Sequence, residues 1–261
     1  MKSTDNEKGI ISAVVKASDI LDCFTAEEPV LSLAQISSRI SLPKSSVLNL
    51  LRTLEYCGLI CRIEDNKNYC LGYRTLTLSH AKRQALPMLR QALPELEELQ
   101  ERSGEIVYLV THAKGKVLYL EGLYPGRRMA AYSVAGKTNY MHCTSVGKSI
   151  LAYLPQEEID AILDHWGLPA LTANTTTDRD KLMEELAQIR QQGYAVDNEE
   201  ETLGVRCVGV PIRNRNGYPT GAISISSTVL ALTDDHIPRY AEQISRVCAR
   251  LSPLADQLLH G

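Results

Sequence analysis

The segment from Lys44 to Arg52 carries side chains of the kinds that read DNA. Lysine, arginine and serine contact phosphates or base edges, and asparagine pairs with adenine. Between residues 29 and 54 the chain has basic residues and no acidic one. We therefore predict a face that recognises a DNA major groove, and an ordinary helical hairpin is the alternative. The predicted face consists of Lys44, Ser45, Ser46, Asn49 and Arg52.

Two short helices would position this face. Ser32 and Gln35 have the spacing of a capping box, which predicts the start of the first helix. Pro43 is suited to the first position of the second helix, and Gly58 to its carboxyl end. The other side of the second helix is apolar and predicted to face inward, through Val47, Leu50, Leu51 and Leu54.

A β-hairpin is predicted directly after this helix. Its strands are Leu59–Glu64 and Tyr69–Leu71, and a turn-rich stretch over residues 65–68 joins them. Arg62 and Lys67 are candidates for contacts to the DNA backbone. A preceding helix over Ser12–Phe24 has an apolar stripe predicted to face inward, made of Val14, Ala17, Leu21 and Phe24. Together these elements predict a winged helix-turn-helix over residues 1–72.

Composition predicts a two-domain protein of the cytoplasm. The chain has 261 residues, 44% of them hydrophobic, and a net charge of −3. Residues 1–80 have equal numbers of basic and acidic side chains, so we expect tight DNA binding to require a homodimer or homotetramer. No segment resembles a signal peptide or approaches the roughly 20 apolar residues of a membrane span. Seven scattered cysteines indicate free thiols in a reducing compartment.

The remainder of the chain predicts an α+β domain over residues 85–261, after a linker helix over residues 73–84. Hairpins alternate with amphipathic helices, which is typical of an antiparallel sheet with helices packed on it. Pro94 is predicted to start or kink the helix that carries Leu96 and Leu99. The predicted strands are Ile106–Val110, Val117–Leu120, Arg128–Val134, Arg206–Ile212 and Thr220–Ser226. The later helices are predicted from Thr144 or Ser145 to Leu154, from Pro155, over Asp178–Gln192 and over Ile237–Leu259.

Polar residues in this second domain predict a small-molecule site. A helix start at Ser145 and Gly147 offers backbone N–H groups to an anion, and glycine permits close approach. Asp197 and Cys207 flank a strand, while Ser224 and Ser226 lie two apart on another strand and so share a face. This set suits a small acid that also has hydroxyl or carbonyl groups.

An enzyme site and a metal site are the alternatives to this interpretation. Gly147-Lys148-Ser149 resembles the end of a phosphate-binding loop, but the earlier glycine of that motif would fall at His142. Asp197 and the acidic run 199–201 have no histidine paired by spacing with a nucleophile, so no reaction class follows. We expect no catalytic residue, no cofactor and no metal. Four cysteines are instead expected to be small buried residues: Cys23, Cys57, Cys61 and Cys70.

Two long stretches give the chain a specific resemblance. They are MHCTSVGKSILAYLP and GYAVDNEEETLGVRCVGVPIRNRNGYPTGAISISS. With the order of elements, they resemble the IclR family of bacterial transcriptional regulators over nearly the whole chain. The resemblance implies a winged helix that binds an operator in double-stranded DNA and a GAF-like effector domain. It also implies a dimer or tetramer, most often a repressor of a catabolic operon.

The resemblance also implies the effector contacts. Carried over residue by residue, they fall on Ser145, Val146, Asp197, Val205, Cys207, Ser224 and Ser226. The helix start has larger residues here than in some members of the family. We therefore expect a non-enzymatic regulator, a repressor that senses a small organic or sugar acid. The alternatives are an activator of the same family, a regulator that senses a protein partner, and an enzyme built on a GAF-like domain.

Overall fold

The computed structural model describes residues 9–63, 67–126 and 134–258. The chain divides into a first unit, Met1–Ala85, and a second unit, Leu86–Gly261. The predicted strand Arg128–Val134 lies outside the described residues except for Val134, as do Glu64 and residues 65 and 66 of the predicted hairpin. Among the described helices, none is long and apolar enough to cross a membrane.

The first unit is the predicted winged helix-turn-helix. Its three-stranded antiparallel sheet has the order β1-β3-β2. Three helices enclose a core that includes Ile20, Leu31, Ile36 and Leu51. The elements are α1 Ser12–Asp22, β1 Val30–Leu31, α2 Leu33–Arg39, α3 Lys44–Tyr56, β2 Ile60–Ile63, β3 Asn68–Leu71 and α4 Arg74–Gln84. Helix α4 corresponds to the predicted linker helix, whose role as a linker stays a prediction.

Several expectations for the first unit need correction. Val14 was predicted to face inward, but it is 64% exposed and the buried residue of α1 is Ile20. Helix α3 begins one residue after Pro43, which occupies the N-cap. Among the cysteines expected to be buried, Cys23 is buried and Cys61 is exposed, because its strand position points away from the core.

The second unit is the predicted α+β domain. Its six-stranded sheet has the order β6-β5-β4-β9-β8-β7, and every described pairing is antiparallel. The strands are β4 Ile106–Ala113, β5 Lys116–Leu123, β6 Thr138–Asn139, β7 Ala195–Asn198, β8 Val205–Arg213 and β9 Pro219–Thr228. The helices are α5 Pro87–Ser103, α6 Ser145–Leu151, α7 Gln156–Trp166, α8 Arg179–Gln192 and α9 His236–Leu251, and a 3₁₀ segment covers Ser252–Leu258.

The sheet separates two hydrophobic clusters. Strand residues such as Val107, Leu109 and Ile223 pack with α5 and α9 on one face. Residues of α6, α7 and α8 pack on the other face, against Val110 and Ala222. Helix α9 suits its position because its buried residues recur at helical spacing, as in Ile237, Tyr240, Ala241, Ile244 and Val247.

The predicted start of α5 and the predicted end of the last α-helix differ from the structure. Pro94 does not start a helix but lies inside α5, so a kink at Pro94 stays a prediction. The helix begins at Pro87, where a missing N–H costs nothing. The last α-helix ends at Leu251 and continues as the 3₁₀ segment, because Pro253 cannot donate the backbone hydrogen bond of an α-helix. Strands β6 and β7 were not predicted, and both are short.

Candidate functional site

The predicted DNA-reading face lies on the solvent side of α3. Its five predicted residues, Lys44, Ser45, Ser46, Asn49 and Arg52, are all exposed. The opposite side of the helix is buried through Val47, Leu51 and Leu54. Helical periodicity therefore places the polar face outward, as the sequence predicted, and its role in reading DNA stays a prediction.

Hydrogen bonds define the start of α2, the turn between α2 and α3, and the end of α3. The Ser32 and Gln35 side chains form the predicted capping box of α2, and the Ser37 hydroxyl donates to the Leu42 carbonyl across the turn at 2.6 Å. At the end of α3, the Gly58 N–H donates to the Glu55 carbonyl and the Leu59 N–H to the Leu54 carbonyl. This pattern is a Schellman motif, and it requires the positive φ of 72° that Gly58 adopts.

The wing is present as β2 and β3. Arg62 and Lys67 are exposed, and Arg62 pairs across the strands with Tyr69, which is buried. Arg39, the basic residue in the last turn of α2, already has partners: its guanidinium donates to the Glu28 carboxylate and to the Cys23 carbonyl. The side chains predicted to contact DNA are thus accessible in the first unit.

The predicted effector residues converge on one cavity of about 190 Å³ in the second unit, which we call the polar cavity. Strand register explains the convergence. Asp197 pairs with Cys207, and Cys207 pairs with Ser226, so these residues form one row across β7, β8 and β9. Ser224 lies two residues away from Ser226 on the same face. Seven of the eight predicted residues line the polar cavity: Ser145, Val146, Asp197, Val205, Cys207, Ser224 and Ser226.

Gly147 is the eighth predicted residue, and its expected role must be corrected. It does not line the polar cavity, and its N–H donates to the Thr144 hydroxyl at 3.1 Å. A Cβ at Gly147 would lie 2.4 Å from the Met141 carbonyl oxygen. The glycine therefore permits close packing against Met141 rather than close approach of a ligand.

Another glycine, Gly209, sets the position of α6 over the sheet. A Cβ at Gly209 would lie 2.6 Å from the carbonyl carbon of Ser145 and 2.8 Å from the Val146 nitrogen. Because Gly209 has no side chain, the first turn of α6 rests directly on β8. No local pattern points to Gly209, since its importance depends on a contact between distant segments.

Further lining residues were also missed. Tyr108 and Tyr119 form an aromatic wall, with ring centroids 5.3 Å apart in an edge-to-face arrangement. The β4–β5 register shifts at Val110, which pairs with Tyr119 rather than Leu120, so the bulge turns Tyr119 toward the polar cavity. The alternation of the predicted hairpin was visible in the sequence, but the bulge was not. Other lining residues outside the predicted set of effector contacts are Ile106, Val134, Lys137, Thr144 and Glu201.

Charged groups of both signs line the polar cavity. Among its described lining residues Lys137 alone is basic, and its Nζ lies 3.9 Å from the Glu201 carboxylate. Glu201 also accepts hydrogen bonds from the Asn139 amide at 3.0 Å and the Thr202 hydroxyl at 2.6 Å. These bonds satisfy Glu201 and leave Lys137 only weakly paired. Lys137 can therefore approach an anionic group in the polar cavity.

Asp197 is a buried carboxyl at the back of the polar cavity, 3% exposed. Burial raises its pKa to about 7, and the negative charge of Glu200 adds to the rise. The Glu200 N–H, which donates to Asp197 Oδ1 at 2.8 Å, and the Lys148 charge oppose it. Burial likewise raises the pKa of the Cys207 thiol, which donates to the Ser226 hydroxyl at 3.1 Å. Near neutral pH, Asp197 can therefore hold or release a proton.

Behind the polar cavity, Lys148 is completely buried. Its Nζ donates to the Glu185 and Glu200 carboxylates, both at 2.5 Å. Burial lowers the Lys148 pKa, but the two carboxylates outweigh it and the net pKa is raised. Lys148 thus joins α6 to α8 and to the turn after β7. These contacts agree with the prediction that Gly147-Lys148-Ser149 is not a phosphate-binding loop.

Sequence comparison supports the same two parts of the chain. Residues 13–62 match the IclR helix-turn-helix domain, and residues 80–252 match the family described as bacterial transcriptional regulator IclR C-terminal. The second match alone spans about two thirds of the chain. The chain belongs to the IclR family of transcriptional regulators. It is a DNA-binding regulator with an IclR effector domain, as the resemblance implied.

Individual members of the IclR family are similar to this chain over nearly their full length. The transcriptional regulator XynR of Escherichia coli K12 is 32% identical over 243 residues, which covers 93% of this chain and 96% of XynR. The crystal structure of an IclR-type regulator from Silicibacter sp. TM1040 has a TM-score of 0.83 at 24% identity, over 94% of this chain and 96% of that one.

A third relative carries a ligand. The crystal structure of an IclR homologue from Microbacterium hydrocarbonoxydans, complexed with 4-hydroxybenzoate, has a TM-score of 0.75 at 22% identity and covers 96% of this chain and all of that one. The family's members are named as transcriptional regulators, which supports the interpretation that this chain is not an enzyme.

Proposed function

We propose that this IclR-family chain is a cytoplasmic repressor of a catabolic operon that releases its operator when a small organic or sugar acid binds in the polar cavity. The observation that carries the proposal is the convergence of seven predicted residues on that one cavity. The repressor role is supported by relatives of that description, among them the E. coli transcriptional repressor IclR.

The size and lining of the polar cavity support a small acid. Its volume of about 190 Å³ is below the roughly 300–1,000 Å³ of pockets for drug-sized ligands. Lys137 is suited to pair with the ligand's carboxylate, and the hydroxyls of Ser224 and Ser226 to hydrogen bond with its hydroxyl or carbonyl groups. Because Asp197 is itself acidic, it either accepts from a ligand hydroxyl or holds a proton and donates to the ligand.

Calorimetry with sugar acids, hydroxy acids and 4-hydroxybenzoate tests this site. For a compound that binds, Lys137→Met should weaken affinity about tenfold or more, since a hydrogen bond to a charged group contributes about 1.5–3 kcal/mol. Ser224→Ala should weaken binding less. Lys181→Met, an exposed lysine on α8, is the matched control and should bind normally. Unchanged affinity in both cavity variants would place the effector site elsewhere.

Operator recognition is assigned to the exposed face of α3 and to the wing. Asn49→Ala should cost about 1–3 kcal/mol of discrimination if Asn49 pairs with a base. The measurement compares gel shifts on operator and unrelated DNA, after selection of the operator from random sequence. Thr53→Ala, which removes an exposed hydroxyl bonded to the Asn49 carbonyl at 3.0 Å, is the control. If Asn49→Ala left the sequence preference unaltered, Asn49 would not be a base-reading residue.

Self-association is the third part of the proposal. The amino-terminal end of the described chain exposes large apolar side chains, namely Ile10, Ile11, Val14 and Val15. We assign them to contact with a second copy, because paired winged helices bind two half-sites and compensate for a first unit with little net charge. Sedimentation of Val14→Glu should show a weakened oligomer compared with Val30→Glu, a control at an exposed valine in β1. Equal association of both variants would refute this contact.

A further inference from the structure

The wing contains two cysteines in direct cross-strand register. Cys61 on β2 pairs with Cys70 on β3, and Cys70 also pairs with Val30 on β1. These three residues share one face of the small sheet. The opposite face carries Tyr69 and Leu31, which pack into the core of the first unit. Chemistry at Cys61 and Cys70 can therefore occur without opening that core.

The spacing of the two cysteines fits a disulfide. The Gly72 N–H donates to the Leu59 carbonyl at 2.8 Å, so that pair is hydrogen bonded, and alternation makes Cys61 and Cys70 a hydrogen-bonded pair as well. Such pairs have Cα atoms about 5.5 Å apart, within the roughly 4.4–6.8 Å that disulfides span. Burial raises the pKa of the Cys70 thiol, and the neighbouring Cys61 adds to the rise.

Accessibility distinguishes this pair from the other thiols of the chain. All seven cysteines are free, and Cys61 is the exposed one among them. Cys23, Cys143 and Cys248 are buried, and Cys207 faces the polar cavity. An oxidant in solution therefore meets Cys61 first and finds Cys70 beside it as the resolving thiol, which is the arrangement of a redox-sensitive pair.

We propose that Cys61 and Cys70 form a redox modification site, a dithiol that a hydroperoxide converts to a disulfide across the wing. The Cys61 thiolate attacks the peroxide O–O bond and becomes a sulfenic acid, and the peroxide leaves as an alcohol or, for hydrogen peroxide, as water. The Cys70 thiolate then attacks the Cys61 sulfur, which forms the S–S bond and releases the sulfenic oxygen as water. Both sulfurs are oxidised and the peroxide is reduced.

Reversal needs a dithiol reductant, so the pair is expected as free thiols in a reducing compartment and as a disulfide under peroxide stress. The disulfide would join the strand that carries Arg62 to the strand that follows Lys67. The modification therefore lies within the wing, beside the side chains assigned to DNA.

The test treats the full chain with hydrogen peroxide, blocks remaining thiols with N-ethylmaleimide and maps the disulfide by peptide mass spectrometry. We expect loss of two of the seven titratable thiols and one peptide pair linking Cys61 to Cys70. Dithiothreitol should restore all of them. Unchanged thiols, loss of other cysteines, or a disulfide between two chains would overturn the proposal.

Serine variants separate this pair from general oxidation. Cys61→Ser and Cys70→Ser should both abolish the disulfide, and Cys70→Ser should leave a sulfenic acid on Cys61 that dimedone traps. Cys57→Ser, a partly exposed cysteine of the same unit, is the control and should form the disulfide normally. Circular dichroism checks that each variant is folded. A disulfide that persists without Cys70, or that requires Cys57, would also overturn the proposal.

Discussion

Replacement of Lys148 by methionine should destabilise the second unit by about 3–5 kcal/mol, the cost of removing one partner from a buried ion pair. The Lys148 ammonium is completely buried and lies 2.5 Å from both the Glu185 and Glu200 carboxylates. Methionine keeps most of the side-chain volume, so the loss reflects charge rather than a cavity. Most of the penalty falls on Glu200, whose side chain is 9% exposed, because Glu185 at 31% can still be hydrated.

Urea unfolding followed by tryptophan fluorescence measures this loss of stability in the second unit. The chain has a single tryptophan, Trp166, at the end of α7 in the second unit. Its emission therefore reports unfolding of that unit without interference from the winged helix. Lys181→Met, which removes an exposed charge on α8, is the matched control and should change stability by less than about 0.5 kcal/mol.

A second substitution separates charge from packing. Glu200→Gln removes the carboxylate that Lys148→Met leaves unpaired, so the double variant should recover more than half of the lost stability. Burial raises the pKa of Glu200, so acidification should also reduce the cost of Lys148→Met as Glu200 takes up a proton. A cost no larger than that of Lys181→Met, or a double variant no more stable than Lys148→Met alone, would refute the buried-charge argument.

Three further predictions concern Asp197, Gly209 and Arg52. Because the pKa of Asp197 is raised from 3.8 to about 7, its stabilising contribution is full below pH 4 and is lost as pH rises through 7. Asp197→Asn should therefore flatten the pH dependence of urea unfolding over this window by up to about 4 kcal/mol, and an unchanged slope would contradict it. Gly209→Ala places a Cβ 2.6 Å from the carbonyl carbon of Ser145. It should therefore lower the free energy of unfolding by about 1–3 kcal/mol, measured by thermal unfolding, and weaken effector binding. An effector affinity equal to that of the wild type would show that α6 adjusts freely. Arg52→Ala should reduce the salt slope of operator binding by about one in gel shifts, and an unaltered slope would remove Arg52 from the phosphate contacts.

The sequence by itself determined the local elements and much of the candidate sites. The capping box at Ser32, the Gly58 helix end and the apolar stripe of α3 each depend on neighbours within one or two helical turns. The exposed DNA face follows from the same period of 3.6 residues. Ser224 and Ser226 could be placed on one face because strand alternation is also local, and the long glycine-rich and acidic pattern was enough to indicate the IclR family.

Only the tertiary structure decided which distant residues meet. Tyr119 reaches the polar cavity through a bulge, and Gly209 matters because α6 rests on it; neither fact is contained in residue spacing. Val14 was predicted to face inward because its stripe is apolar, but α1 packs on the core of the first unit through Ala17, Ile20 and Leu21 instead. Sequence pattern and packed environment differ most at Lys148. Its sequence neighbours resemble a phosphate-binding loop, whereas its side chain is paired with Glu185 and Glu200, which are 37 and 52 residues away. Burial, register and charge pairing between remote segments are properties of the packed chain, so a local pattern could not predict them.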